Sequence, residues 1–150
     1  MAGTFTQLLY HFVFSTKNRV PVIATTFRAE LHAYMGGIIK ENHGVLLEAG
    51  GMPDHVHLLA RLHQDTAPSE VMRLVKANSS KWINEERKLP ERFEWQGGYG
   101  AFTVSKSAEI EVAKYIRNQE EHHRKLTFQD EFLLFLKKHG IEYDPKYIWE

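Results

Sequence analysis

Cysteine is absent from this 150-residue chain, so disulfides and thiolate metal sites are both excluded. Net charge of one sign is also missing: 19 Lys and Arg balance 19 Asp and Glu. That balance argues against indiscriminate binding to nucleic acid and leaves only a local basic face open. Proline is scarce, and Pro21, Pro53, Pro68, Pro90 and Pro145 all fall where elements are expected to begin or end. No apolar run approaches a membrane span, and Met1-Ala2-Gly3-Thr4 lacks the basic start and apolar core of a signal peptide. Internal repeats and low-complexity segments are missing too. The expectation is a cytoplasmic, membrane-free protein with one domain over 1–150, since a hydrophobic fraction of 43% suffices for a core.

What is present centres on Gly50-Gly51-Met52-Pro53-Asp54-His55-Val56-His57-Leu58-Leu59. The run from His55 to Leu62 reads as a strand, on which residues two apart share a face. His55 and His57 then project side by side as a bidentate grip for a divalent metal, with Asp54 placed to orient one imidazole. A chance His-x-His on a half-buried strand is the alternative.

The remaining elements follow from periodicity. Phe5 to Ser15 reads as a strand, Phe27 to Asn42 as a helix, and Val45 to Glu48 as a strand. Gly50-Gly51 and Pro53 are expected to make the turn into the His-x-His strand. Gly36-Gly37 inside the first helix suggests a close neighbour, and His32 and His43 are expected on the surface. Pro68 to about Lys88 reads as a second helix, and Ala101 to Val104 as a fourth strand. A helix over about 107–124 is expected to start from a Ser107 cap, and Thr127-x-x-Asp130 starts a last helix within 127–150. Strand, helix, strand, strand, helix, strand is the α+β, ferredoxin-like βαββαβ order of an antiparallel sheet, here with additional C-terminal helices. In that order the first and third strands are central, so the His pair has rigid support.

A second constellation lies on the helix over 107–124. Tyr115 and Gln119 are four apart and face one way, with Glu111 one turn before and His122 and His123 one turn after. Tyrosine can serve as a covalent nucleophile, and a glutamine carbonyl oxygen can complete a ligand set for magnesium or manganese. Basic residues are spread among the other segments. Lys17 and Arg19 follow the first strand; Arg73, Lys76 and Lys81 lie on the second helix; Arg117 neighbours Tyr115. Each is a candidate backbone contact or simply a solvated charge. The Trp95-Gln96-Gly97-Gly98-Tyr99-Gly100 stretch offers aromatics either for stacking on bases or for capping the core.

Gly51 to Leu59 resembles the HUH motif of the IS200/IS605-family transposases, with Val56 as its hydrophobic middle residue. Tyr115-Ile116-Arg117-Asn118-Gln119 resembles their single-tyrosine motif. Tyr10 to Arg19, Leu74 to Ser80 and Trp95 to Gly100 resemble their first strand and middle motifs, in order, through about residue 125. The resemblance implies a transposase that cleaves and rejoins single-stranded DNA at hairpin-bearing element ends through a 5′-phosphotyrosine. It implies Tyr115 as nucleophile and His55, His57 and Gln119 as ligands of Mg2+ or Mn2+. It also implies a homodimer whose tyrosine helices can complete each other's sites. Three rivals remain: a domesticated REP-associated relative with the same chemistry, an RNA-recognition-type module stacking bases on Tyr10, Phe12 and Phe14, and a phosphohydrolase in which Tyr115 is only structural.

Overall fold

The computed structural model describes residues 3–87 and 89–150; the expected helix end at Lys88 and the start at Met1-Ala2 lie outside the described residues. Four strands, β1 (Leu8–Ser15), β2 (Val45–Met52), β3 (His55–Leu62) and β4 (Gly100–Val104), form one antiparallel sheet in the order β2-β3-β1-β4. That is the ferredoxin-like arrangement, with the His-x-His strand and β1 in the centre. Helices α1 (Thr25–Glu41) and α2 (Pro68–Glu86) cover one face. Helices α3 (Glu109–Arg117), α4 (Gln119–His122) and α5 (Phe128–Lys138) follow β4.

Strand alternation divides the chemistry between the faces. Phe12 and Phe14 of β1 and Val56, Leu58 and Ala60 of β3 point into the main core, against Leu31, Met35 and Ile39 of α1 and Val71, Met72 and Val75 of α2. Phe12 and Phe14 are fully buried there, so they offer no surface on which a base could stack. On the opposite face Val13 and Phe102 pack with Phe128, Phe132 and Leu136 of α5, and Trp149 from the tail packs against them. His11, His55 and His57 emerge on this second face, beside that smaller core.

Several boundaries depart from the sequence reading. The strand expected to end at Glu48 continues through Gly50-Gly51 to Met52, and the turn sits at Pro53-Asp54. The glycines therefore serve close approach, not the turn: a Cβ on Gly50 would lie 2.0 Å from the Ile116 carbonyl oxygen, so only glycine lets α3 rest on β2. Gly36 is tight against Leu46 of β2, whereas Gly37 has open space around it. The helix expected over 107–124 is broken. Ser107 lies in a 3-10 turn (Lys106–Ala108) and does not cap α3, and Asn118 leaves helical geometry at φ −97°, ψ 31°. Ser105 and Ser107 hydroxyls pair with each other at 3.1 Å, which removes Ser107 as a cap. Thr127 does cap α5, accepting from the Asp130 amide at 3.1 Å. Among the described residues no helix is long and apolar enough to cross a membrane.

Candidate active site

The site is built from three elements of different sequence distance. β3 supplies His55 and His57, whose rings lie 5.1 Å apart and are almost wholly buried. The α3–α4 break supplies Tyr115 and Gln119. Residues up to Asn118 keep helical hydrogen bonds, and the kink there sets Gln119 against the sheet, where it is 1% exposed. Gln119 Oε1 lies 3.1 Å from His55 Nε2, and Gln119 Nε2 donates back to the Tyr115 carbonyl at 3.4 Å. Thus the four residues singled out in sequence meet in one place within a single chain.

α5 adds the residue that sequence reasoning missed. Glu131 is 1% exposed, and its Oε1 lies 2.9 Å from His57 Nε2, 3.2 Å from His123 Nε2 and 3.6 Å from His55 Nε2. Its Oε2 accepts a very short hydrogen bond from the Tyr115 hydroxyl. His123, noted in sequence without a role, also lies 3.0 Å from Gln119 Oε1. His11 of β1 was missed as well, and its Nε2 pairs with His57 Nδ1 at 2.8 Å. A signal for Glu131 existed: it is a carboxylate on the apolar stripe Phe128, Phe132, Phe135, Leu136, where a charge demands a partner.

Burial shapes the electrostatics. It pushes His57 down to about 4, against the opposing pull of Glu131, and holds His11 well below its ordinary value, so both imidazoles are neutral at pH 7. Burial also opposes ionisation of Glu131, but hydrogen bonds from His123 and His57 outweigh it and keep the carboxylate charged. Burial lowers His123 as well, yet its contact with Glu131 raises it on balance. The Tyr115 phenol is pushed up, first by burial and then by the Glu131 carboxylate beside it. A cleft of about 360 Å³ opens beside this phenol, lined by His11, Glu111, Tyr115, Glu131, Phe135 and Lys138. His122 stacks on the Tyr115 ring at 4.3 Å. Buried neutral imidazoles beside an ionised carboxylate and a carboxamide oxygen form a donor set that fits a divalent metal.

The basic candidates are mostly engaged elsewhere. Lys76 Nζ donates to the carbonyls of Gln96 at 2.7 Å and Gly98 at 2.8 Å, pinning the glycine loop. Arg19 reaches the Trp149 carbonyl at 3.4 Å and lies over the Trp149 ring. Lys17 pairs with Glu94 at 3.2 Å, Arg73 donates to Glu70 at 3.0 Å, and Arg117 pairs with Glu48 at 3.4 Å. Lys81 is exposed. Trp95 is buried, edge-on to Phe14 at 4.8 Å and donating to Ser79 Oγ at 2.9 Å, so it caps the core.

A family model described as IS200-like transposase matches residues 4–119. The chain belongs to the IS200-like transposase family. Among curated members, the ISDra2 transposase TnpA of Deinococcus radiodurans is 28% identical over 124 residues, covering 79% of this chain and 89% of that protein. The transposase for insertion sequence element IS200 of Salmonella typhimurium is 28% identical over 130 residues, covering 81% and 82%. A crystal structure from Deinococcus radiodurans R1 assigned as a transposase superposes with TM-score 0.64 at 25% identity, covering 79% of this chain and 95% of that one. A REP-associated tyrosine transposase bound to a REP hairpin shares the fold, with TM-score 0.56 at 17% identity, covering 77% and 68%. The stretch matched by the IS200-like family model contains His55, His57, Tyr115 and Gln119, and it ends before His123 and Glu131.

Proposed function

We propose that this IS200-like transposase cleaves and rejoins single-stranded DNA through a covalent link to Tyr115. The observation that carries the reading is the convergence of Tyr115 with His55, His57 and Gln119 in one buried site beside an open cleft. His55, His57 and Gln119 would hold a divalent ion, Mg2+ or Mn2+. When bound, the ion neutralises and polarises the scissile phosphate. The chain's own residues do the rest. The β3 strand and the α3–α4 kink fix the nucleophile and the ligand groups before DNA arrives, so little reorganisation is left for the reaction. The Tyr115 oxygen forms a bond to phosphorus as the bond to the 3′-oxygen breaks. The phenol gives up one proton and the departing 3′-oxygen takes one up, leaving a 5′-phosphotyrosine and a free 3′-hydroxyl. The adduct keeps the phosphodiester energy, so a second 3′-hydroxyl reverses the step and joins new ends.

The DNA partner we propose is a single strand carrying hairpin ends. The same chemistry in a domesticated REP-associated context would differ only in which hairpins are used. Lys81, together with Lys17, Arg19, Arg73 and Arg117 once their surface pairs exchange for phosphate, would track the backbone. The experiment is a denaturing gel with labelled hairpin DNA and Mg2+ or Mn2+, comparing wild type with Tyr115→Phe. A metal-dependent adduct that vanishes in the variant supports the reading. Cleavage without adduct, unchanged in the variant, would replace it with a phosphohydrolase.

A further inference from the structure

Three imidazoles meet at the centre of the site, and each has its Nδ1 tied outward. His55 Nδ1 is 2.7 Å from Asp54 Oδ1, His123 Nδ1 is 2.6 Å from the Leu126 carbonyl oxygen, and His57 Nδ1 is 2.8 Å from His11 Nε2. A carboxylate and a carbonyl can only accept, so Nδ1 of His55 and of His123 carries the hydrogen. That leaves Nε2 of both rings turned inward, the nitrogen that a metal would take. These Nε2 atoms of His55 and His123 face Gln119 Oε1, 3.1 and 3.0 Å away, and Glu131 Oε1, 3.6 and 3.2 Å away. Four side chains thus bring ligand-type nitrogen and oxygen atoms to one point. Outward-tied Nδ1 groups are what metal-binding histidines show. The nitrogen and carboxylate atoms of His55, His57, His123 and Glu131 all lie within 4.8 Å of one another. Several of the spacings fall between 2.9 and 3.6 Å. Neighbouring ligands about 2.0–2.2 Å from one ion stand at about that separation.

From this we infer that His123 and Glu131 are ligands of the metal together with His55 and His57. The inference rests on the metal-dependent reading above and deepens it. Both residues lie beyond the stretch matched to the IS200-like family model, on α5 and the turn that leads to it, so this part of the centre comes from the C-terminal extension. Three imidazole nitrogens and one carboxylate oxygen make a donor set that one divalent ion would join. Glu131 brings a carboxylate into this buried donor set, which calls for positive charge beside it. One divalent ion supplies that charge and also engages His57.

The test is a Co2+ titration of the metal-free full-length protein, followed by visible ligand-field absorption and by calorimetry, in wild type, His123→Ala and Glu131→Gln. Expected are ligand-field bands in wild type that change in both variants, with Co2+ affinity falling at least about tenfold in each. Glu131→Gln keeps the side-chain shape, and circular dichroism of the metal-free variants confirms that α5 is folded. Unchanged spectra and affinity in both folded variants would overturn the inference. Because the readout is metal binding, it is separable from the transposase reading. Adduct formation with metal binding indifferent to both variants sinks the inference alone; normal metal binding with no adduct sinks the reading alone.

Discussion

Tyr115 and Glu131 are joined by a hydrogen bond from the phenol to Oε2, while the other oxygen of the same carboxylate faces His57 Nε2 at 2.9 Å. One side chain of α5 thus touches both the nucleophile and the histidine strand. Removing the phenol should register in stability as well as in chemistry. Tyr115→Phe is expected to abolish the DNA adduct and, by leaving Glu131 Oε2 buried without its donor, to lower unfolding free energy by about 1–3 kcal/mol. Adduct gels and denaturant titration of the metal-free protein check the two halves. Full stability in the variant would mean the bond contributes nothing.

The groups of one site come from one chain in this structure. Mixing Tyr115→Phe with His55→Ala protein should therefore restore no cleavage. Recovery of adduct on mixing would show that tyrosine helices are exchanged between subunits.

Gly50 admits the Ile116 carbonyl at a distance no Cβ could tolerate. Gly50→Ala is expected to displace α3, costing about 1–3 kcal/mol as overpacking does, and to reduce adduct yield more than tenfold through misplaced Tyr115. A variant with normal yield and normal melting would show that α3 has room to shift.

Lys76 serves the fold. With Nζ on two loop carbonyls, Lys76→Ala should lower the melting temperature by about 2–4 °C while leaving the salt dependence of DNA binding unchanged. A salt slope shallower by about one, at unchanged stability, would mark it as a phosphate contact instead.

His32 was expected on the surface, yet its Nε2 is buried without a partner. Burial, then the neighbouring Arg28, push it down to about 4. The unfolded value is about 6.5, so the unfolded chain binds a proton that the folded chain refuses. The cost is absent above about pH 6.5 and grows as pH falls toward 4. His32→Gln should therefore lose about 2 kcal/mol less stability than wild type between about pH 7 and about pH 5. Denaturant unfolding at both pH values decides it, and equal losses would reject the assignment.

Sheet order, both helices of the main core and the meeting of His55, His57, Tyr115 and Gln119 were legible because each rests on a period or a local spacing. Two things were not. The glycines of β2 read as a turn, since nothing local tells a bend from the approach of a helix more than sixty residues later. Glu131 went unread and His123 was noted beside Tyr115 without a role, because their partners on β3 are brought to them only by tertiary packing. The Asn118 break was hidden as well: Tyr115 and Gln119 keep their i, i+4 spacing across it, so a continuous helix predicts the same facing.

α3 carries the nucleophile, and Ile116 is its one buried side chain among the described residues. Burying an isoleucine contributes on the order of 2–3 kcal/mol, far less than either core helix gains. The rest of its attachment is the Tyr115 hydrogen bond to Glu131, the Arg117–Glu48 pair and bare backbone on a glycine strand. The nucleophile is thus seated by one isoleucine and a few polar contacts, where the core helices are seated by broad apolar faces.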